Sequence, residues 1–413
     1  MRAELMASER ERGIRPVLFM TSNGTGLGHL TRGMAIARRL DAGIEPVFFT
    51  LSAAAPVVRD QGFRAEYMGS YNTPGAGSHL EWSRRLRTRV ASLLDELDPA
   101  VLVFDGAHPY PALIRAMGER PDMTTLWSRR PMWQPGRGRP ILALAAAFDL
   151  VLEPGELAAS DDAGLTARRR DEAVVLDPIT FCDPSELLPR AQSERALGLE
   201  PGRLNALIAL GQGPELDAAV SRCLEHLRGH GEVQVAALES GISPRLDVPP
   251  GVVLLRDTYP VSRHYRAFDF VVSAAGYNAF HELIRFAVPT LFVPMRRELD
   301  DQAARARHAE HAGLALACEA PGSERLESLL DEMLEPGKRE RMAARARNLA
   351  IANGAEEAAR LLSRLASGNR SALAGLPGPN GSRIAMWSTM ARARASALVR
   401  HPFERRRDRT TSR

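Results

Sequence analysis

A histidine, His29, stands directly behind the glycine-rich run Ser22-Asn-Gly24-Thr-Gly26-Leu-Gly28 and heads a stretch in which Leu30, Met34, Ile36, Ala37 and Leu40 recur at helical spacing. An imidazole in that position suits proton abstraction near neutral pH. A second cluster is Ser273-Ala-Ala-Gly276-Tyr-Asn278-Ala-Phe-His-Glu282, followed by the apolar run Val288 to Pro294 and then by Asp300-Asp301-Gln302. It reads as a strand end, a glycine turn, a short helix carrying Glu282, a second strand, and a polar group opening the next helix. Two consecutive strand-to-helix junctions of a parallel sheet place their polar residues on one carboxyl edge, where open α/β sheets bind ligands. Amides at a glycine turn that leads into a helix suit phosphate oxygens and the charge that develops on a leaving phosphate. Such an edge can seat a nucleotide and a sugar.

The elements that must hold these residues alternate between strand and helix. Apolar runs at 16–21, 46–50, 64–68, 100–104, 123–127 and 148–152 predict strands, and helical spacing fills 29–40, 53–61, 80–97 and 111–119. Strands separated in this way predict a parallel sheet covered on both faces. Between Leu176 and Pro201 the pattern breaks, with Asp177-Pro178, Asp183-Pro184, Pro189 and Gly198 as turn signals. The alternation restarts at 204–210 with a glycine-bearing loop at Gly211 and Gly213, and continues through strands at 233–238, 252–255 and 269–273 to closing helices over 324–365. The expected organisation is a first Rossmann-like domain over 1–176, a linker over 177–202, a second Rossmann-like domain over 203–367 and a basic, flexible tail over 368–413.

The segment from Ser273 to Gln302 resembles the donor half of nucleotide-sugar glycosyltransferases of the GT-B type, in particular family 28 and the UDP-glycosyltransferases. The shared succession is a small-residue turn with Gly-x-Asn, a Glu a few residues on, a Val-Pro-x-Leu-x-x-Pro strand, and then Asp-Gln. Gly26-Leu-Gly28-His29-Leu-Thr-Arg32 is similar to the Gly-His-x-x-Arg stretch of the same proteins' first domain. The resemblance implies an α/β chain of GT-B fold, two Rossmann-like domains facing across a cleft. It also implies roles: His29 as the acceptor base, Gly24, Gly26, Gly28 and Arg32 as its loop, and Gly211, Gly213, Ser273, Gly276 and Asn278 around the donor diphosphate. Glu282 would accept two ribose hydroxyls, Asp301 and Gln302 would hold the donor sugar, and the backbone near Leu255 to Tyr259 would meet the base. Asp105, at the end of the 100–104 run, is similar to the Asp that orients the catalytic His in plant-type members; a helix N-cap ahead of Pro109 is an equal reading.

The rivals are specific. Gly24-x-Gly26-x-Gly28 invites a dinucleotide fingerprint, but His29 falls where its third glycine is needed and no acid ends the second strand. His281-Glu282 lacks the second His of a zinc-protease helix, no Asp-x-Asp pair occurs, and neither a metal nor a cofactor is expected. Nucleotide-sugar hydrolases and non-catalytic nucleotide-sugar sensors share the architecture and stay open; a UDP-sugar 2-epimerase shares it too, but its acidic catalytic cluster is not found. The 413 residues carry a net charge of +4, but from Gly368 onward ten Arg face only Glu404 and Asp408, so the rest is mildly acidic. That disfavours nucleic acid as a partner. The basic tail, with a weakly amphipathic run over 384–399, would rest on an anionic membrane surface or simply solubilise the chain. A UDP-linked donor, a small or lipid-linked hydroxyl acceptor and a cytoplasmic setting, including its membrane face, are the expected partners and place. Cys182, Cys223 and Cys318 lie far apart and are expected as buried thiols.

Overall fold

The computed structural model describes residues 15–22, 27–211, 214–239 and 246–379. Gly24, Gly26, Gly213 and the 384–399 run therefore lie outside the described residues.

Two parallel sheets organise the chain. The first contains β1 (Val17–Thr21), β2 (Pro46–Thr50), β3 (Arg64–Tyr67), β4 (Val101–Asp105), β5 (Thr124–Ser128), β6 (Leu150–Glu153) and β7 (Ala173–Val175), in the order β3-β2-β1-β4-β5-β6-β7. The second contains β8 (Leu204–Ala209), β9 (Val233–Leu238), β10 (Val253–Leu255), β11 (Phe270–Ser273), β12 (Thr290–Phe292) and β13 (Leu316–Ala317), in the order β10-β9-β8-β11-β12-β13. Each sheet is buried on both faces, which is why its strands read as continuous apolar runs. In β1, Val17 and Phe19 enter one core and Leu18 and Met20 the other. The three cysteines are free and buried.

The strand order fixes where a ligand can go. In each sheet the chain winds outward in one direction, then returns to the middle and winds the other way. The reversal falls between β1 and β4 in the first sheet and between β8 and β11 in the second. Loops leaving neighbouring strands at such a reversal diverge to opposite faces and open a crevice at the carboxyl ends.

Three features depart from the sequence reading. The stretch 177–202 is not irregular throughout, because Pro189 and Gly198 bracket a helix, Arg190–Leu197, with Gly198 as its left-handed C-cap at φ 69°. The last long helix, Gly354–Ala366, follows the second sheet in sequence but packs Ala358, Leu361, Leu362 and Leu365 into the first sheet's core beside Phe19 and Val103. Each fully buried leucine there contributes on the order of 1.5–3 kcal/mol. The crossing is tight: a Cβ on Gly354 would lie 2.0 Å from the Asp177 carbonyl oxygen, so only glycine fits. Beyond it, the turn Arg370–Leu373 also lies on that core, which Ala372, Leu373 and Leu376 join, so residues past 368 that were expected to be flexible are packed.

Candidate functional site

The register of the first sheet places Thr21, Thr50, Asp105 and Ser128 side by side at the carboxyl ends of β1, β2, β4 and β5. All four are buried, and Thr21 donates to Thr50 at 2.7 Å. The helix Gly28–Ala37 starts above this row and lowers His29 and Arg32 onto Asp105. His29 Nδ1 lies 2.7 Å from Asp105 Oδ1; Arg32 donates from Nη2 to Oδ1 at 2.5 Å and from Nε to Oδ2 at 3.0 Å; Ser128 Oγ donates to Oδ2 at 2.9 Å. Asp105 is therefore the hub of the cluster. It caps no helix, since Tyr110 occupies the N-cap of Pro111–Gly118.

The charges settle the tautomer. Burial alone would raise the Asp105 carboxyl, but the Arg32 guanidinium and the His29 hydrogen bond hold it down to about 2. Arg32 Nη2 also lies 3.0 Å from His29 Nδ1, but its shorter bond, 2.5 Å, goes to Asp105 Oδ1; as a carboxylate Asp105 only accepts, so the proton in the 2.7 Å contact is assigned to His29 Nδ1 and the Nε2 lone pair is left over. Burial lowers the His29 pKa below its ordinary 6.5, against the pull of Asp105 and with help from Arg32 and Arg130. His29 is neutral at neutral pH and part-exposed, with its side chain at 20%. It has the properties of a general base.

The crevice of the second sheet meets this cluster. Asn278 donates to the Gly28 carbonyl at 3.2 Å and accepts from Arg32 Nη1 at 3.4 Å. The helix Tyr277–Arg285 starts at Gly276, which supplies no side-chain cap, so its first amides stay available to an anion at the His29 cluster. Gly211, at φ 81°, makes the matching turn after β8 in a left-handed conformation that favours glycine. Ser273 is turned inward and donates to the carbonyls of Ala209 and Ala274.

Glu282 is placed differently from the sequence expectation. It is 7% exposed and does not face an open cleft; its Oε1 accepts from the Phe181 amide of the linker at 3.1 Å. Burial lifts its pKa to about 7, although Phe181, Ser262 and Arg285 pull the other way. The physical reason is the helix phase: Glu282 lies beside Leu283 and Phe280 on a buried helix, under the linker segment 178–183. Asp301 and Gln302 also have structural partners. Asp301 caps the helix Gln302–His311 through Ala304 N at 3.1 Å, and Gln302 accepts from Met295 N at 3.0 Å and donates to Asp300 Oδ2 at 3.1 Å. Tyr259 contacts Thr31 of the first domain at 3.0 Å, while Arg256 is exposed and pairs with Glu239.

A buried ionic chain joins the two halves beside the site, and sequence reasoning missed it. Arg130 follows β5 and lies 3.2 Å from Asp300; Asp300 accepts from Arg305 at 2.6 Å; Arg305 donates to Glu156 at 2.7 Å. Asp300 is held below the ordinary carboxylate range: burial would raise it, and Arg130 and Arg305 outweigh burial. Arg130 Nε and Arg305 Nη2 are buried with no hydrogen-bond partner. His281, whose neighbour is Glu282, is fully buried and accepts from the Leu157 amide at 3.2 Å. Arg169 and Arg170 are part-buried and paired with Glu172 and Glu153. His308 Nδ1 lies 2.6 Å from Asp161.

With this geometry in view, residues 258–362 match the profile of the glycosyltransferase family 28 C-terminal domain. The matched stretch takes in β11, β12 and the helix between them, which carries Asn278 and Glu282. The chain is 26% identical over 382 residues to UDP-N-acetylglucosamine--N-acetylmuramyl-(pentapeptide) pyrophosphoryl-undecaprenol N-acetylglucosamine transferases of two Xanthomonas campestris strains, B100 and 8004, covering 87% of this chain and 84% of each relative. The solved Acinetobacter baumannii MurG superposes with a TM-score of 0.56 at 17% identity, over 84% of this chain and 99% of that one. The glycosyltransferase SnogD from Streptomyces nogalater gives 0.55 at 16%, over 85% and 99%. The fold is GT-B, and the chain is similar to the nucleotide-sugar glycosyltransferases of family 28. The same fold also carries other chemistry, since the UDP-GlcNAc 2-epimerase from Neisseria meningitidis superposes at 0.56 with 13% identity, over 85% and 99%.

Proposed function

We propose that the chain moves a hexosyl group from a UDP-linked sugar to a hydroxyl acceptor with inversion. The observation that supports this reading most is the pairing of His29 with Asp105 directly opposite the uncapped start of the 277–285 helix. A base and an anion seat then lie on either side of one anomeric carbon. The acceptor hydroxyl gives its proton to His29 Nε2 as its oxygen forms the bond to that carbon, and the bond to the diphosphate breaks on the opposite side. Asp105 stabilises the imidazolium, and Arg32 keeps Asp105 ionised and fixed. The electron pair leaves with UDP, whose charge is met by the amides after Gly276 and by Arg130. In this reading protein groups supply the positive charge, and no divalent metal is required.

The relatives' named donor, UDP-N-acetylglucosamine, is the first to try, and their lipid-linked acceptor makes a lipid-linked hydroxyl our preferred acceptor class. Among the described residues no helix is long and apolar enough to cross a membrane; in our reading such an acceptor would be met at the surface of the bilayer, on its cytoplasmic side. Within this proposal Gly211, Gly276, Asn278 and Gln302 surround the donor. Glu282 would reach a ribose only once Phe181 has left it. The experiment is UDP release from UDP-N-acetylglucosamine with and without lipid-linked acceptors. Acceptor-dependent release supports transfer; equally fast release into water alone would favour a hydrolase, and binding without release a sensor.

A further inference from the structure

On the side of the second sheet away from the cleft, the helices Pro214–Arg228 and Arg325–Leu334 pack together through Leu224, Leu227, Leu330 and Met333. Where they emerge from this core, three side chains converge. His226 Nε2 lies 2.7 Å from Asp331 Oδ1, and His230 Nε2 lies 3.7 Å from the same oxygen. One donor atom from each of the three falls within 4.8 Å of the others.

The spacing has a local cause. His226 and His230 are four residues apart, and the turn that ends the helix keeps them stacked on one face, with Gly229 N bonded to the His226 carbonyl and His230 N to that of Leu227. Their rings lie 5.3 Å apart, centroid to centroid. Asp331 comes from the neighbouring helix and is more than half exposed, at 56%, so its carboxylate can swing between the two imidazoles. Arg222, one turn before His226 on the same helix, is paired with Glu327.

We propose that His226, His230 and Asp331 bind one borderline transition-metal ion of the zinc class, with water completing the coordination. Two imidazoles and a carboxylate suit zinc, nickel or cobalt and not magnesium or calcium, which prefer all-oxygen sites. The mean of the two observed His–Asp separations is close to the edge of a tetrahedron whose metal–ligand bonds are about 2.0–2.1 Å, so a small rotation of Asp331 closes the site. The ion would pin the far end of the helix whose near end follows the Gly211 loop. It lies outside the transfer chemistry, and its role is to stiffen the donor domain.

The test is calorimetric titration of untagged, metal-stripped protein with zinc, beside thermal unfolding in zinc and in magnesium. The expected result is one zinc per chain and a rise in melting temperature that magnesium does not reproduce. Asp331→Asn should weaken binding by at least about tenfold, and His226→Ala with His230→Ala should abolish both the heat and the shift. Absence of zinc binding by the intact protein, or equal binding by the double variant, would overturn the proposal. Circular dichroism of the variants shows whether loss of binding reflects loss of fold, and cobalt substitution gives an independent reading. A visible absorption band in the intact protein that the double variant lacks supports the site, and a band present in both refutes it.

Discussion

Glu282→Gln separates an interior carboxyl from one that faces a ligand. The buried carboxyl titrates at about 7 instead of the ordinary 4.5. Its folded-state pKa is raised, so the folded form holds a proton that the unfolded form has lost, and stability falls as pH rises between those two values. The shift of 7 − 4.5 = 2.5 units corresponds, at about 1.36 kcal/mol per unit, to about 3 kcal/mol fully felt above pH 7. Glutamine keeps the shape and can still accept from Phe181 N but has no proton to lose. The stability difference between Glu282→Gln and the parent should thus move in the variant's favour by about 3 kcal/mol from about pH 4.5 to about pH 8. Urea unfolding of both proteins across that range measures it, and the subtraction cancels every other titrating group. A difference independent of pH would refute the reasoning, because it would mean that the carboxylate is ionised and solvated in the folded protein.

Four further outcomes are expected. His29→Ala should lower turnover by about 10²–10⁴-fold while the UDP dissociation constant stays within a factor of about two, read by steady-state kinetics and calorimetry. Because the base must be neutral and burial lowers its pKa, the parent's acid limb in kcat/KM should lie below the ordinary 6.5, activity falling as pH falls; a limb above that value would count against burial as the dominant influence. Arg130→Met should lower kcat more than it raises KM if the guanidinium meets the leaving diphosphate, and the reverse split would make it a ground-state binder. Truncation after Pro379, which spares the packed turn 370–373, should leave activity on soluble acceptors intact and reduce sedimentation with anionic vesicles.

Much of the architecture was legible because parallel strands buried on both faces write themselves as apolar runs. β1, β2, β4, β8, β9 and β11 fall where those runs predict them, whereas β7 and β13, at three and two residues, are too short to carry a period. The helix 190–197 hid behind its own punctuation: Pro189 and Gly198 signal a loop in isolation and are here its two ends. Nothing in the amphipathic spacing of 354–366 says which sheet it covers, because a helix records that it has a buried face and not whose face it meets.

The site divides in the same way. His29, Arg32 and Asp105 were legible as a glycine-loop histidine, its helix and a strand-end acid, since sheet register brings strand ends together whatever their separation in sequence. Arg130 and Arg305, the partners of Asp300, were not, because charged residues in a sequence read as surface until the second domain covers them. A buried donor left without a partner is the signal that marks them, and it exists only in three dimensions. The burial of Glu282 was invisible for a related reason: its environment is the linker, whose path no local pattern fixes.

Nitrogen-15 NMR of the His29 ring, assigned by comparison with His29→Ala, reads the protonation state on which the transfer chemistry rests. The expected result is a neutral imidazole at pH 7, protonated on Nδ1 toward Asp105, with a bare Nε2 that shifts when acceptor is added. An imidazolium at that pH, or a proton resident on Nε2, would contradict it.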